Sequence, residues 1–176
     1  MSWLICIGGG IASGKTTLAE ALQATLPDSE WLTFSEVVRR RVLGEGRELT
    51  RQNLQDAGLQ LISEGWSSFI DELLRYVKGE PEVLIVEGIR HQEAVDALQG
   101  RLPMRELLLV YLDIDRNQRR QRLAHIGEAE GALDHQVERD VNALRATADL
   151  VVAGEQPTDE IVWLVRQRVE GQNRSM

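Results

Sequence analysis

The sequence predicts an α/β fold, a parallel five-stranded sheet with helices on both faces, and three observations carry that prediction. Short apolar runs recur at Leu4–Ile7, Trp31–Phe34, Val83–Val86, Leu107–Leu112 and Leu150–Val152, with helical patterns between them. The third and fourth runs are nearly all aliphatic, as strands covered on both faces should be. The first run leads straight into a glycine-rich turn and then a helical segment, the start of a βαβ unit.

Taken in order, Trp3–Ile7 reads as a buried strand, and Thr16–Leu26 as the helix after the glycine turn. A long helical excursion, residues 35–78, separates the second strand from the third. It holds a helix capped by Ser35, a turn at Gly44–Gly46 and a second helix that opens near Thr50 and continues toward Ser63. Gly65 breaks the pattern before a last helix, Ser67–Val77. A helix rich in arginine follows the fourth strand, and a Gly/Glu/Ala-rich link spans Gly127–Asp134. At 176 residues one domain is expected, with the excursion (about 35–78) as an acceptor-binding insertion and the link (about 124–138) as a short lid. Segments inserted at the carboxyl edge of a parallel sheet are where ligands are held and enclosed.

The composition is that of a globular protein, 43% hydrophobic and 27% charged. A net charge of −8 argues against broad nucleic-acid or anionic-membrane binding. The single cysteine, Cys6, lies in the first strand and reads as a buried, inert thiol, which fits a reducing cytoplasm. No apolar run approaches the roughly 20 residues of a membrane span, so a cytoplasmic protein is expected.

Gly9-Gly10-Ile11-Ala12-Ser13-Gly14-Lys15-Thr16 matches G-x-x-x-x-G-K-[ST], a loop whose backbone N–H groups cradle phosphates at a helix N-terminus. Residues Gly9 to Thr17 would hold ATP, with Lys15 on the β- and γ-phosphates and the Thr16 hydroxyl on Mg²⁺. The chain has 18 Arg and only two Lys, so a lysine here points to a chemical need. A compact ammonium enters a phosphate cradle more readily than a planar guanidinium. Glu87-Gly88-Ile89-Arg90 closes the third strand, where a carboxylate can hold Mg²⁺ or its waters and Arg90 faces the same edge. Glu36 is a weaker candidate for the metal, and Arg39 lies one turn into the helix after the second strand. Arg116, Arg119 and Arg120 fall near one face of the helix before the lid, with Arg122 offset, and Arg139 lies beyond it. The alternative for each arginine is an ordinary ion pair on a solvated helix face. His91, His125 and His135 show no metal-ligand spacing, and the four tryptophans read as packing residues, with stacking on a ligand left open as the lesser alternative for Trp66 in the insertion.

These residues resemble the P-loop nucleoside monophosphate kinase superfamily, and more closely its dephospho-CoA kinase-like and deoxynucleoside monophosphate kinase-like members. The resemblance runs from about Trp3 to about Ile161 and implies a P-loop NTPase three-layer sandwich with strand order 2-3-1-4-5. Phe34-Ser35-Glu36-Val37-Val38-Arg39 is similar to the segment whose arginine binds the acceptor phosphate. Residues Thr50 to Gly58 look like the acceptor-binding helices of the smaller group. Val86-Glu87-Gly88-Ile89-Arg90 resembles the family's Asp-Gly-(Ile or Phe)-Arg strand end, with Glu in place of Asp. Arg139-Asp140 looks like the pair that follows the lid, and Ala148–Val152 with Gly154 like the last strand and the loop beside the donor base.

The resulting expectation is transfer of the γ-phosphate of ATP to a (deoxy)nucleoside monophosphate by a monomer or weak homodimer. Lys15, Arg39, Arg90 and an arginine from Arg119, Arg122 or Arg139 would carry it. A kinase for dephospho-CoA or another phosphorylated metabolite, and a regulatory nucleotide-binding protein, stay open as alternatives. The N-K-x-D and D-x-x-G signatures of GTPase switches do not occur in the chain.

Overall fold

The computed structural model describes residues 2–125 and 143–172. Five strands form one parallel sheet: β1 (Trp3–Gly9), β2 (Ser29–Thr33), β3 (Val83–Ile89), β4 (Glu106–Asp113) and β5 (Leu150–Ala153). Their order is β2-β3-β1-β4-β5, as the family resemblance implied. The helices are α1 (Lys15–Thr25), α2 (Phe34–Gly44), α3 (Arg51–Ser63), α4 (Trp66–Leu74), α5 (Gln92–Arg101), α6 (Arg116–His125) and α7 (Thr158–Gln172). A further helical stretch spans residues 143–147.

Period-two alternation in β1 explains the three layers. Leu4 and Cys6 point to one face, where they pack with α2, α4 and α5 through Val37, Ile70, Leu73 and Leu98. Trp3, Ile5 and Ile7 point to the other, against Leu18 and Leu22 of α1 and Val165 of α7. Both faces are therefore dry, and β1, β3 and β4 can be aliphatic nearly throughout. The thiol of Cys6 lies fully inside this core, and burial, with a smaller contribution from Asp149, pushes its pKa up.

Local boundaries depart from the sequence reading in three places. Phe34 does not end β2 but opens α2, and the cap is Thr33, whose Oγ1 accepts from the Ser35 N–H at 3.2 Å. Strand β3 runs past Val86 to Ile89, because its backbone pairing with β1 continues across Glu87. Helix α4 begins at Trp66 and ends at Leu74, three residues before Val77, in turn bonds from Tyr76 and Val77. Thr50 caps α3 as its position predicts, accepting from the Asn53 N–H at 3.2 Å.

Between β2 and β3, Arg41 of α2 binds Glu64 at the end of α3 at 3.0 Å and Glu72 of α4 at 2.9 Å. One guanidinium thus ties the three helices of the excursion together, and the two carboxylates push its pKa up. The lid expected at about 124–138 falls almost wholly outside the described residues, as do Arg139, Asp140 and His135. Among the described residues, no helix is long and apolar enough to cross a membrane.

Candidate active site

The glycine-rich loop sits where β1 leaves the sheet, between the carboxyl ends of β3 and β4. Gly9 has φ of 140°, and a Cβ there would lie 2.7 Å from the Leu112 carbonyl oxygen, so the chain passes this point only as glycine. Ala12 adopts a left-handed φ of 60°, a conformation costing a side-chain-bearing residue about 1 kcal/mol. Gly14 caps α1 without a side-chain hydrogen bond, so the first N–H groups of the helix are left to a ligand.

Lys15 opens α1 and folds back over the loop, its Nζ donating to the Gly10 carbonyl at 2.6 Å. Its pKa is lowered to about 8, first by burial, then by the charge of Arg90, with Glu87 opposing. Thr16 Oγ1 donates to Glu87 Oε2 at 3.1 Å. Glu87 is 6% exposed, and with Ser13 it is one of two buried polar residues among those described. The Thr16–Glu87 pair supplies hard oxygen donors beside the phosphate loop, and that donor set fits Mg²⁺. The register between β1 and β3 slips here, from Ile7 opposite Glu87 to Gly8 opposite Ile89, so Gly88 is the extra residue of a bulge. A bulge at a strand end re-aims the chain, and it separates Glu87 from Arg90 by an irregular step.

Arg90 follows at the edge, half-buried, with burial lowering its pKa. Among the described residues it forms no hydrogen bond or ion pair, and its electrostatic neighbour is Lys15. His91, the next residue, lies 5.2 Å from the Trp66 ring, which also stacks on Phe69 at 5.8 Å and meets Phe34 edge-on at 6.3 Å. The rings of Phe34, Trp66 and Phe69 thus cluster with His91, the residue that follows Arg90 in the chain.

The remaining arginines separate. Arg39 is 54% exposed on α2 and faces Glu36 at 3.9 Å. Glu36 itself is bound by Arg40 at 2.8 Å, which places that carboxylate on the helix surface rather than beside Thr16. Arg119 of α6 lies over the phosphate loop, where a Cβ on Gly10 would meet its Nη1 at 2.9 Å. Arg122 donates from Nη1 to the Ala12 carbonyl at 3.1 Å and from Nη2 to the Gly154 carbonyl at 2.8 Å. Asp115 caps α6 by accepting from the N–H groups of Asn117 and Gln118.

Sequence reasoning missed the two-carbonyl grip of Arg122 and the Trp66–His91 contact, since both join segments far apart in the chain.

Comparison with known proteins agrees with this architecture. The "UPF0200 protein" of Thermococcus onnurineus is 23% identical over 180 residues, covering 95% of this chain and 96% of the relative. Shikimate kinase from Aquifex aeolicus superposes with a TM-score of 0.63 at 19% identity, covering 98% of this chain and 99% of that one. A gluconokinase from Sinorhizobium meliloti gives a TM-score of 0.56 at 19% identity, with 99% and 98% covered. At such identities the likeness is one of fold, and the fold is that of the P-loop kinases. Residues 5–142 match the AAA_18 family, described as "AAA domain", and the chain belongs to that family.

Proposed function

We propose that the protein is an ATP-dependent phosphotransferase that moves the γ-phosphate to the phosphate of a (deoxy)nucleoside monophosphate. The observation that supports this reading is the phosphate loop with Lys15 folded over it, 2.6 Å from the Gly10 carbonyl, next to strand β3, whose end carries Glu87 and then Arg90, a cation without a carboxylate partner among the described residues. Lys15 would meet a donor phosphate and Arg90 an acceptor phosphate.

The donor's triphosphate lies along residues 9–17, with Lys15 leaving the Gly10 carbonyl to reach it. Mg²⁺ on Thr16 and Glu87 supplies charge neutralisation to the phosphates when bound. Arg90 holds the acceptor phosphate, and Arg39 swings from Glu36 to join it. An acceptor oxygen forms its bond to the γ-phosphorus while the bond to the β–γ bridging oxygen breaks, and the nucleoside diphosphate leaves. That acceptor oxygen is already ionised at neutral pH, so no side chain needs to remove a proton. Helices α2–α4 form the acceptor-binding insertion, and the rings of Trp66 and His91, the residue after Arg90, suit a planar base. Arg119, whose guanidinium lies over Gly10, would cover the transferred group, with Arg139, outside the described residues, as the alternative.

The test is ATP consumption with Mg²⁺ against all (deoxy)nucleoside monophosphates, dephospho-CoA and a no-acceptor control, with products identified by mass. Turnover on one or a few monophosphates is expected. Transfer to dephospho-CoA alone would replace the acceptor, and nucleotide binding without transfer to anything would replace catalysis with regulation.

A further inference from the structure

We infer that Arg122 is a positioning residue that locks the phosphate loop to the loop after β5 and so shapes the seat for the donor's triphosphate. The inference rests on the phosphotransferase reading for what the seat receives, and on hydrogen-bond geometry for the lock itself.

Three chain segments meet at this point. The backbone at Gly154 is so close that a Cβ there would lie 3.0 Å from the Ser13 carbonyl oxygen and 3.2 Å from that of Asp113. Contact alone would let the phosphate loop slide over its neighbour. Arg122 prevents that by gripping both sides, with Ala12 at 3.1 Å and Gly154 at 2.8 Å. Its planar fork fixes the separation of the two carbonyls, which a single ammonium cannot do. The grip falls on Ala12, the residue whose left-handed φ of 60° needs an outside hold to persist.

Both acceptors are neutral carbonyls, so among the described residues the lock leaves the positive charge of Arg122 in place at the rim of the phosphate loop. Arg119, one turn earlier on α6, lies over Gly10 rather than across the junction. Two arginines three residues apart thus face the same loop with different tasks, Arg122 holding its shape and Arg119 covering its mouth.

The experiment measures the dissociation constants of Mg·ATP and of Mg·tripolyphosphate by calorimetry, together with kcat and KM, for wild type, Arg122→Ala, Arg122→Lys and Gly154→Ala. Arg122→Ala should weaken both ligands by about tenfold or more, as expected for two lost charge-assisted hydrogen bonds, while kcat falls no more than about threefold. Arg122→Lys should restore less than half of that loss on a logarithmic scale. Gly154→Ala keeps the arginine but presses on Ser13, so it should reproduce the affinity loss and guards against an Arg122 variant that fails to fold. Intact affinity for both ligands in Arg122→Ala, or a loss confined to kcat, overturns the proposal. The binding arm needs no acceptor, so a wild type that binds both triphosphates yet phosphorylates nothing would defeat the phosphotransferase reading while still deciding the role of Arg122.

Discussion

Arg41 of α2 and Arg122 of α6 use their guanidinium groups in opposite ways. On α2, Arg39 and Arg40 share Glu36, Arg40 also lies 4.1 Å over the Tyr76 ring, and Arg41 is held between Glu64 and Glu72. On α6, Arg122 spends its donors on backbone carbonyls and Arg119 lies against the backbone of Gly10. A carboxylate cancels a guanidinium's charge, whereas a carbonyl only orients it. The first set builds helices, with Arg39 loosely enough held to be recruited. The second lies against the phosphate loop, close to Lys15 and Arg90.

The sharpest way to break this contrast is Lys15→Ala, expected to lower kcat by about three orders of magnitude or more, as for loss of a central charge contact in phosphoryl transfer. Near-normal turnover in steady-state kinetics would end the catalytic assignment. Arg90→Ala comes next, with a fall of about 100-fold in kcat/KM for the acceptor and nucleotide affinity retained by calorimetry. An equal fall in nucleotide affinity would make Arg90 part of the donor seat instead. Arg39→Ala should cost about tenfold, and only in acceptor use, because its present hold on Glu36 at 3.9 Å is weak. Equal damage to donor and acceptor use would mark it as structural.

Arg41→Ala should have the smallest effect on catalysis and a visible one on stability, lowering the melting temperature by roughly 2–4 °C. Its pH signature is specific. Arg41 holds the Glu64 carboxyl below its ordinary 4.5, so the folded state binds fewer protons there than the unfolded chain. The pair's contribution is complete above that ordinary value and is lost as the pH falls through the lower, folded one. Melting curves from pH 6 downward should therefore converge for wild type and Arg41→Ala, and parallel curves would assign the stability to packing.

Much of the fold was legible because single physical constraints dictate it. The aliphatic runs of β3 and β4 need cover on both faces, and the glycines of the phosphate loop permit one path between β1 and α1. Boundaries were less so. Phe34 looks like a strand residue by type, yet Thr33 offers a cap, and burial of Phe34 against Phe69 and Trp66 decides for the helix. Lys15, Thr16, Glu87 and Arg90 stood out in the sequence because each lies at or near the end of an element. The division of labour among the arginines was not. It depends on whether a carboxylate or a carbonyl lies opposite, and partners such as Glu64, Glu72 and Gly154 are 23 to 32 residues away in the chain.

The burial of Cys6 has a practical consequence. The thiol sits mid-strand, paired with Val86 on one side and Leu109 on the other, and its raised pKa keeps it un-ionised. An alkylating reagent meets no reactive sulfur until the central strand is uncovered, so the native cysteine is a built-in clock for opening of the sheet. Two cysteines introduced on the exposed faces of α2 and α6 would then take dyes alone, and the distance between the two dyes could be followed on adding nucleotide without removing the native thiol.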